Sequence, residues 1–99
     1  MMISIQEKNY RHHLKIVEDV LTVTENSGQQ GIAITPLCQK GNLAHGRLRN
    51  LLATLTGSGL VNQIKFDGKN TFVITDKGRQ YLEQYKKFSD IAEGFGLEM

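Results

Sequence analysis

Arg47, Arg49 and Asn50 fall within four consecutive positions, and Lys65 and Lys69 follow in a segment of strand-like composition. Guanidinium and carboxamide groups pair with planar polar edges through two hydrogen bonds at once, and lysine ammonium groups act as compact point charges for phosphate. This is the chemistry of recognition rather than of bond making. Competing chemistries fare poorly. His12 and His13 are adjacent, so on a helix they point about 100° apart and cannot both face one ion at short range. With Cys38 and His45 they form no recognised zinc spacing. A cysteine and a histidine would suit nucleophilic chemistry, but no oxyanion-forming loop or orienting acid accompanies them. The glycines fall mostly at helix ends and turns and build no phosphate-cradling motif. Cys38 reads as a small core residue on a helix, with redox sensing as the lesser alternative. No catalytic residue, metal ligand or cofactor is therefore expected.

The elements that must position the arginines can be built from the flanking residues. Leu48, Leu51, Leu52 and Leu55 recur at helical spacing with Ala44 one turn earlier, which buries one stripe of a helix over residues 44–56. At about 100° per residue, Gly46, Asn50 and Ala53 then point away from the leucines, with Arg49 on one flank and Arg47 and Thr54 on the other. Upstream, Thr35 can cap a shorter helix whose first position suits Pro36, and which carries Leu37 and Cys38 inward. Gly41-Asn42 ends it, because both residues tolerate left-handed backbone. Downstream, Gly57-Ser58-Gly59 stops the leucine helix and Leu60-Val61 returns the chain to the core. Residues 61–66 and 71–74 have strand composition, and Asp67-Gly68-Lys69-Asn70 between them is a turn. Thr75-Asp76 caps a last helix.

The first helix starts near Ile5 or Tyr10 and runs to Thr24, with Leu14, Val17 and Leu21, joined by Tyr10 and Val20, on its buried side. Asn26-Ser27-Gly28 ends it. Residues 31–34 form a short extended piece able to join the hairpin as a third strand. The order of elements is that of a winged helix-turn-helix, an α+β fold with three N-terminal helices, a small β-hairpin wing and a C-terminal dimerisation helix. It occupies one domain over residues 1–99, with a core over 10–82 and the last helix over about 75–93.

A chain of 99 residues supports a single core, without room for a deep cleft and a separate cofactor domain. Its single cysteine allows no internal disulfide. With no secretory segment and no apolar stretch approaching membrane length, the expected location is cytoplasmic, and nucleoid-associated for a chain that binds DNA. The net charge of +2 is small, but its distribution is uneven. Residues 35–72 carry Lys40, Arg47, Arg49, Lys65 and Lys69 against Asp67 alone, whereas both flanks are slightly acidic. Positive charge concentrated on one helix and one hairpin is the electrostatic footprint of a surface that meets nucleic acid, although a solvated face of ordinary cations gives the same count.

The chain resembles the archaeal winged helix-turn-helix transcriptional regulators, a family that includes small chromatin-associated DNA-binding dimers. Gly31-Ile32-Ala33-Ile34-Thr35 matches the family's glycine-isoleucine-x-x-threonine before helix two. Asn42-Leu43-Ala44 stands where the family usually has asparagine-leucine-serine. Leu51-Leu52-Ala53-Thr54-Leu55-Thr56-Gly57-Ser58-Gly59-Leu60-Val61 is similar to its leucine-rich helix end and glycine-leucine-isoleucine exit. Thr75-Asp76-Lys77-Gly78-Arg79-Gln80-Tyr81-Leu82 resembles its threonine-x-lysine-glycine opening of the last helix. The motifs are specific in combination and weak singly. Two departures stand out: Ala44 removes the usual capping serine, and Gly46 loosens the same turn. Either the reading helix frays when free and orders on DNA, or Asn42 caps it from an earlier start.

The resemblance implies double-stranded DNA as partner, with helix 44–56 in the major groove and wing 61–74 on the backbone or minor groove. Arg49 and Asn50 would then read base edges, since arginine pairs with guanine and asparagine with adenine. His45, Arg47, Lys65 and Lys69 would hold phosphates, and Thr54 belongs to the same DNA-facing set. A winged domain that docks another protein is the alternative, and an apolar patch on the reading face would mark it. The last helix carries Gly78, Tyr81, Tyr85, Phe88, Ala92 and Phe95 at alternating spacings of three and four, with Leu82 and Ile91 beside them. Tyr81 and Leu82 suit the domain's own core, while the seam as a whole, Tyr81, Tyr85, Phe88, Ile91, Ala92 and Phe95, suits a homodimer interface. Folding back onto helix one is the alternative. Gly94-Phe95-Gly96 is expected to end the helix.

Overall fold

In the computed structural model, which describes residues 2–96 and their side chains from His13 onward, four helices accompany one antiparallel hairpin whose tip is exposed. Helix α1 spans Met2–Asn26, α2 Ile34–Gly41 and α3 His45–Gly57, followed by strands β1 Val61–Phe66 and β2 Lys69–Ile74 and by helix α4 Asp76–Gly94. A short 3-10 turn, Gly28–Gln30, links α1 to α2. Helix α1 thus starts earlier and ends slightly later than its apolar spacing indicated. The side chains of Tyr10 and His12 lie outside the described residues.

The core gathers Ile16, Val17, Val20 and Leu21 of α1, Leu37 of α2, Leu48, Leu51, Leu52 and Leu55 of α3, and Val61 and Ile74 at the base of the hairpin. The four leucines of the predicted stripe are buried, which fixes the rotation of α3 and turns its opposite face outward. Ala44, expected on the same stripe, is exposed because it is the N-cap and lies outside the first turn. Cys38 is half-buried against this core.

Helix α2 begins two residues before the predicted Pro36. Ala33 occupies its N-cap without a side-chain bond, and the Leu37 amide donates the first bond to the Ala33 carbonyl. Pro36 therefore sits inside the first turn, where a missing N–H costs no intrahelical bond, and Thr35 caps nothing. Both motif helices then end in the same way. Asn42 takes the left-handed conformation (φ 53°) after α2 and Gly59 (φ +79°) after α3. The following residue in each case, Leu43 or Leu60, donates back to Cys38 or Leu55 and tucks a leucine against the core.

The hairpin is tighter than predicted. Asp67 and Gly68 alone form the turn, both at positive φ (52° and 76°), so Lys69 and Asn70 already belong to β2. Two consecutive left-handed residues give the turn whose twist matches a right-twisted hairpin. The anticipated third strand contracts to one bridge, Ile32 with Phe72. Gly31 (φ +76°) bends the chain into that bridge and α2 begins at Ile34, which leaves no length for a ladder.

Helix α4 returns antiparallel along α1. Arg79, early in α4, approaches Glu25 late in α1 at 3.7 Å, and Tyr85, further along, lies beside Glu18, Lys15 and Asp19. Burial, reinforced by the Glu18 charge, holds the Tyr85 phenol above its ordinary pKa. Tyr85 stacks on Tyr81 with ring centres 6.3 Å apart. This packing revises the predicted dimer seam. Tyr85 and Ala92 are buried within the single chain and Tyr81 is half-buried, whereas Phe88, Ile91 and Phe95 are 60%, 62% and 79% exposed. The apolar stripe is too wide for one neighbour, so α4 turns one edge to its own domain and leaves the other uncovered.

Candidate functional site

Helix α3 presents His45, Gly46, Arg47, Arg49, Asn50, Ala53 and Thr54 to solvent, all exposed. This follows directly from burial of the four leucines. Ala44 is the N-cap in extended conformation and contributes no side-chain bond, so the amides of the first turn lack a hydroxyl acceptor. Asn42 does not replace it, because its left-handed backbone closes α2. Of the two expectations for this end, capping by Asn42 is thereby removed.

Within the face, an Arg49 guanidinium N–H donates to Nδ1 of His45 at 3.2 Å, one turn apart. Arginine has no acceptor, so this bond requires Nδ1 unprotonated and leaves the imidazole proton on Nε2 as a donor. The pair braces Arg49 across the first turn. The Thr54 hydroxyl donates to the Asn50 carbonyl at 3.3 Å, a long bond within the helix. Asn50 itself is exposed and its carboxamide is engaged by no hydrogen bond among the described residues.

Ion pairs are unevenly distributed over the molecule, although Lys77 and Lys86 of α4 lack a carboxylate partner among the described residues. Every ion pair among the described residues involves α1 or α4: Lys15 with Glu18 and Asp19, Arg79 with Glu25 and Asp76, and Lys87 with Glu83. The Glu18 carboxylate, accepting a hydrogen bond, raises the pKa of Lys15. Lys40, Arg47, Arg49, Lys65 and Lys69 have no carboxylate partner among the described residues. A row of unpaired cations on a helix and a hairpin can hold a polyanion through direct bonds and release of its counterions.

Sequence spacing places Lys65 and Lys69 at one hairpin tip, and the register resolves them further. Lys65 is paired with Asn70, and Phe66 with Lys69. Because side chains alternate between faces along a strand and directly paired residues share one, Lys65 and Asn70 lie on one face of the wing. Phe66 and Lys69 lie on the other. Val61 and Gln63 share the Lys65 face, which leads inward to the core.

One threonine ties α4 to the exit of α3. Thr75, the N-cap of α4, accepts a bond from the Gly78 amide at 3.0 Å, and its hydroxyl donates to the Gly59 carbonyl at 2.6 Å, with the Leu60 carbonyl 3.0 Å away. The same residue therefore starts α4 and fastens the exit of α3. Gly78 allows the contact, because a Cβ there would collide with the Leu60 carbonyl and lie 2.6 Å from Ile74 Cγ1. Sequence reasoning found Thr75 through its capping pattern but passed over Phe66 and Asn70. Their signal was their position beside Asp67-Gly68, which fixes both at the wing tip once the turn is known to have two residues.

No group of His, Cys, Asp and Glu among the described residues is arranged to hold a metal ion, and no helix among them is long and apolar enough to cross a membrane. The paired short helices, the two-stranded wing and the closing helix define a winged helix-turn-helix protein of the α+β class. The chain belongs to the winged helix-turn-helix family, which it matches over residues 10–93. It is also similar to the crystal structure of Sso10a-2, a DNA-binding protein from Sulfolobus solfataricus, with a TM-score of 0.67 and 20% identity over 83% of this chain and 82% of that one. At that identity the likeness is one of fold. No curated protein shows significant sequence similarity to the chain.

Proposed function

We propose that the protein binds double-stranded DNA as a transcriptional regulator or chromatin component, laying α3 in the major groove with the wing on the adjacent backbone or minor groove. The observation that carries this reading is the set of five cations on α2, α3 and the wing that lack carboxylate partners among the described residues, on a stretch whose one acid is Asp67. Every ion pair among the described residues lies on α1 and α4. The DNA-binding description of Sso10a-2, which shares the fold, supports it. In this arrangement Arg49, braced by His45, and Asn50 face base edges, and Arg47, His45, Lys65 and Lys69 face phosphates. Thr54 lies on the flank of the same surface. Small residues at Gly46 and Ala53 let the helix approach the groove closely.

The protein-docking reading lacks the apolar patch it requires. Among the described residues, the exposed large apolar side chains are Phe66, Phe88, Ile91 and Phe95, and none is on α3. The strip of Phe88, Ile91 and Phe95 on α4 instead suits a second copy of the chain. A dimer built on it would carry two reading helices to half-sites about one DNA turn apart.

The test is fluorescence anisotropy with a random-sequence duplex at low and moderate salt, comparing wild type with Arg47→Ala/Arg49→Ala. Wild type should weaken steeply with salt, and the double variant should bind at least about tenfold more weakly with a salt slope reduced by about 2. Absence of binding at low salt, or indifference to both arginines, would sink the groove-reading arrangement.

A further inference from the structure

We propose that the wing tip is a minor-groove reader centred on Phe66, whose ring packs against the sugars and base edges of the groove while Lys65 and Lys69 hold the phosphates of its two walls. This rests on DNA being the partner, chooses the minor groove over the backbone for the wing and adds Phe66 as a contact residue. Phe66 is the last residue of β1, immediately before the Asp67-Gly68 turn, and is 40% exposed. It is the exposed large apolar side chain that lies away from α4 among the described residues. The core ends at the opposite end of the hairpin, at Val61 and Ile74, so the ring is not a displaced core residue.

The register says how the tip would sit. With Lys65 and Lys69 on opposite faces, a hairpin lying flat along one phosphate strand would bring one lysine to phosphate and point the other away. A tip seated between two strands brings each face to its own wall. The minor groove, about 6 Å wide, keeps both walls within reach of one hairpin, while the major groove at about 12 Å holds α3 in the same arrangement. Each face then pairs a cation with a group suited to the groove floor, Phe66 beside Lys69 and Asn70 beside Lys65. Apolar side chains and asparagine are the residues minor-groove proteins use there. Asp67 is the one carboxylate at the tip and opposes phosphate. Its left-handed backbone is equally open to asparagine, so Asp67→Asn changes the charge and keeps the turn.

Anisotropy on two duplexes tests this: one of mixed sequence, and the same duplex with inosine for guanine, which deletes the minor-groove amino group and leaves the major-groove edge unchanged. Phe66→Thr, which keeps strand preference, should bind the mixed duplex about tenfold more weakly with an unchanged salt slope, the scale of burying one partly exposed aromatic side chain. Phe66→Leu should retain most of the affinity, and Lys65→Ala and Lys69→Ala should each lower the slope by about 1. Asp67→Asn should bind several-fold more tightly. Wild type should prefer the inosine duplex, and Phe66→Thr should lose that preference. Thermal melts establish that each variant is folded. If Phe66→Thr binds both duplexes as wild type does while Arg47→Ala/Arg49→Ala is impaired, the wing-tip contact is wrong and the DNA reading stands. An equal loss on both duplexes would place the ring outside the minor groove. Failure of wild type to bind either duplex would overturn both proposals.

Discussion

The face made by α3 and the wing and the face made by α1 and α4 are built on different rules. On α1 and α4, Lys15, Arg79 and Lys87 each lie beside a carboxylate, Tyr85 is buried, and the fit around Gly78 leaves no room for a methyl group. On α3 and the wing, cations stand without acids, the helix lacks a capping side chain, and Gly46 has nothing within 4 Å of its virtual Cβ. Exposed ion pairs contribute little to stability. Their distribution is informative for another reason: among the described residues all of them lie on α1 and α4, where Lys77 and Lys86 alone among the α4 cations stand unpaired, and the α3 and wing cations have none.

The same substitution at two glycines can break that contrast. In an exposed helix interior, Gly→Ala gains up to about 1 kcal/mol from helix propensity. At Gly78 the added methyl must displace the Leu60 carbonyl and Ile74, and overpacking of this kind costs about 1–3 kcal/mol. Gly78→Ala should therefore lower the denaturation midpoint clearly, whereas Gly46→Ala should leave it unchanged or raise it. Chemical denaturation of both variants measures this. A stabilised Gly78→Ala would show that the joint between α4 and the hairpin is looser than the geometry requires, and would remove tight packing as the distinction between the two faces.

The second prediction concerns the uncovered edge of α4, where the two rules meet. Phe88→Ser/Ile91→Ser removes two apolar side chains that are already exposed in the single chain, so its effect on a monomer's stability should be small. If a second copy covers them, sedimentation equilibrium should show the self-association constant weakened at least about tenfold, since full burial of one such side chain is worth about 1.5–3 kcal/mol. Unchanged association, or a monomeric wild type, would assign the strip to neither the chain nor its copy. Tyr85→Ala should behave differently and destabilise the fold itself, because Tyr85 belongs to the seam between α1 and α4.

Much of this organisation is legible in the sequence, and what is not has identifiable causes. The leucine stripe of α3, the Thr75 cap and the left-handed stop at Asn42 rest on local periodicity and backbone preference, which the residues themselves carry. The start of α2 is displaced because proline is tolerated throughout a first turn, so Pro36 marks a region rather than a position. The third strand shrinks to the Ile32–Phe72 bridge because Gly31 and the early start of α2 limit its length. The seam of α4 is misread in part for a deeper reason. Spacing shows that Tyr85, Phe88, Ala92 and Phe95 share a broad stripe, but which edge faces the chain's own core depends on how α1 packs against it. The unshared faces of Lys65 and Lys69 likewise follow from the strand register, which the length of the turn decides.

The smallest effect bears on the N-terminus of α3, where the outward face begins. Ala44 sits at the N-cap without an acceptor for the first-turn amides, and Ala44→Ser supplies one. A restored N-cap is worth about 1 kcal/mol, so the variant should melt a few degrees higher. Its binding separates two origins of the missing cap. If the end of α3 frays when free and orders on DNA, pre-ordering it with serine should tighten binding as well, because less ordering remains to be done in the complex. Higher stability with unchanged affinity would mean that the end is already formed in the free protein, held by the Leu48 amide bond to the Ala44 carbonyl and by the Arg49–His45 contact. Serine that weakened binding would point to a third cause: first-turn amides kept unsatisfied by the chain and filled by a phosphate oxygen.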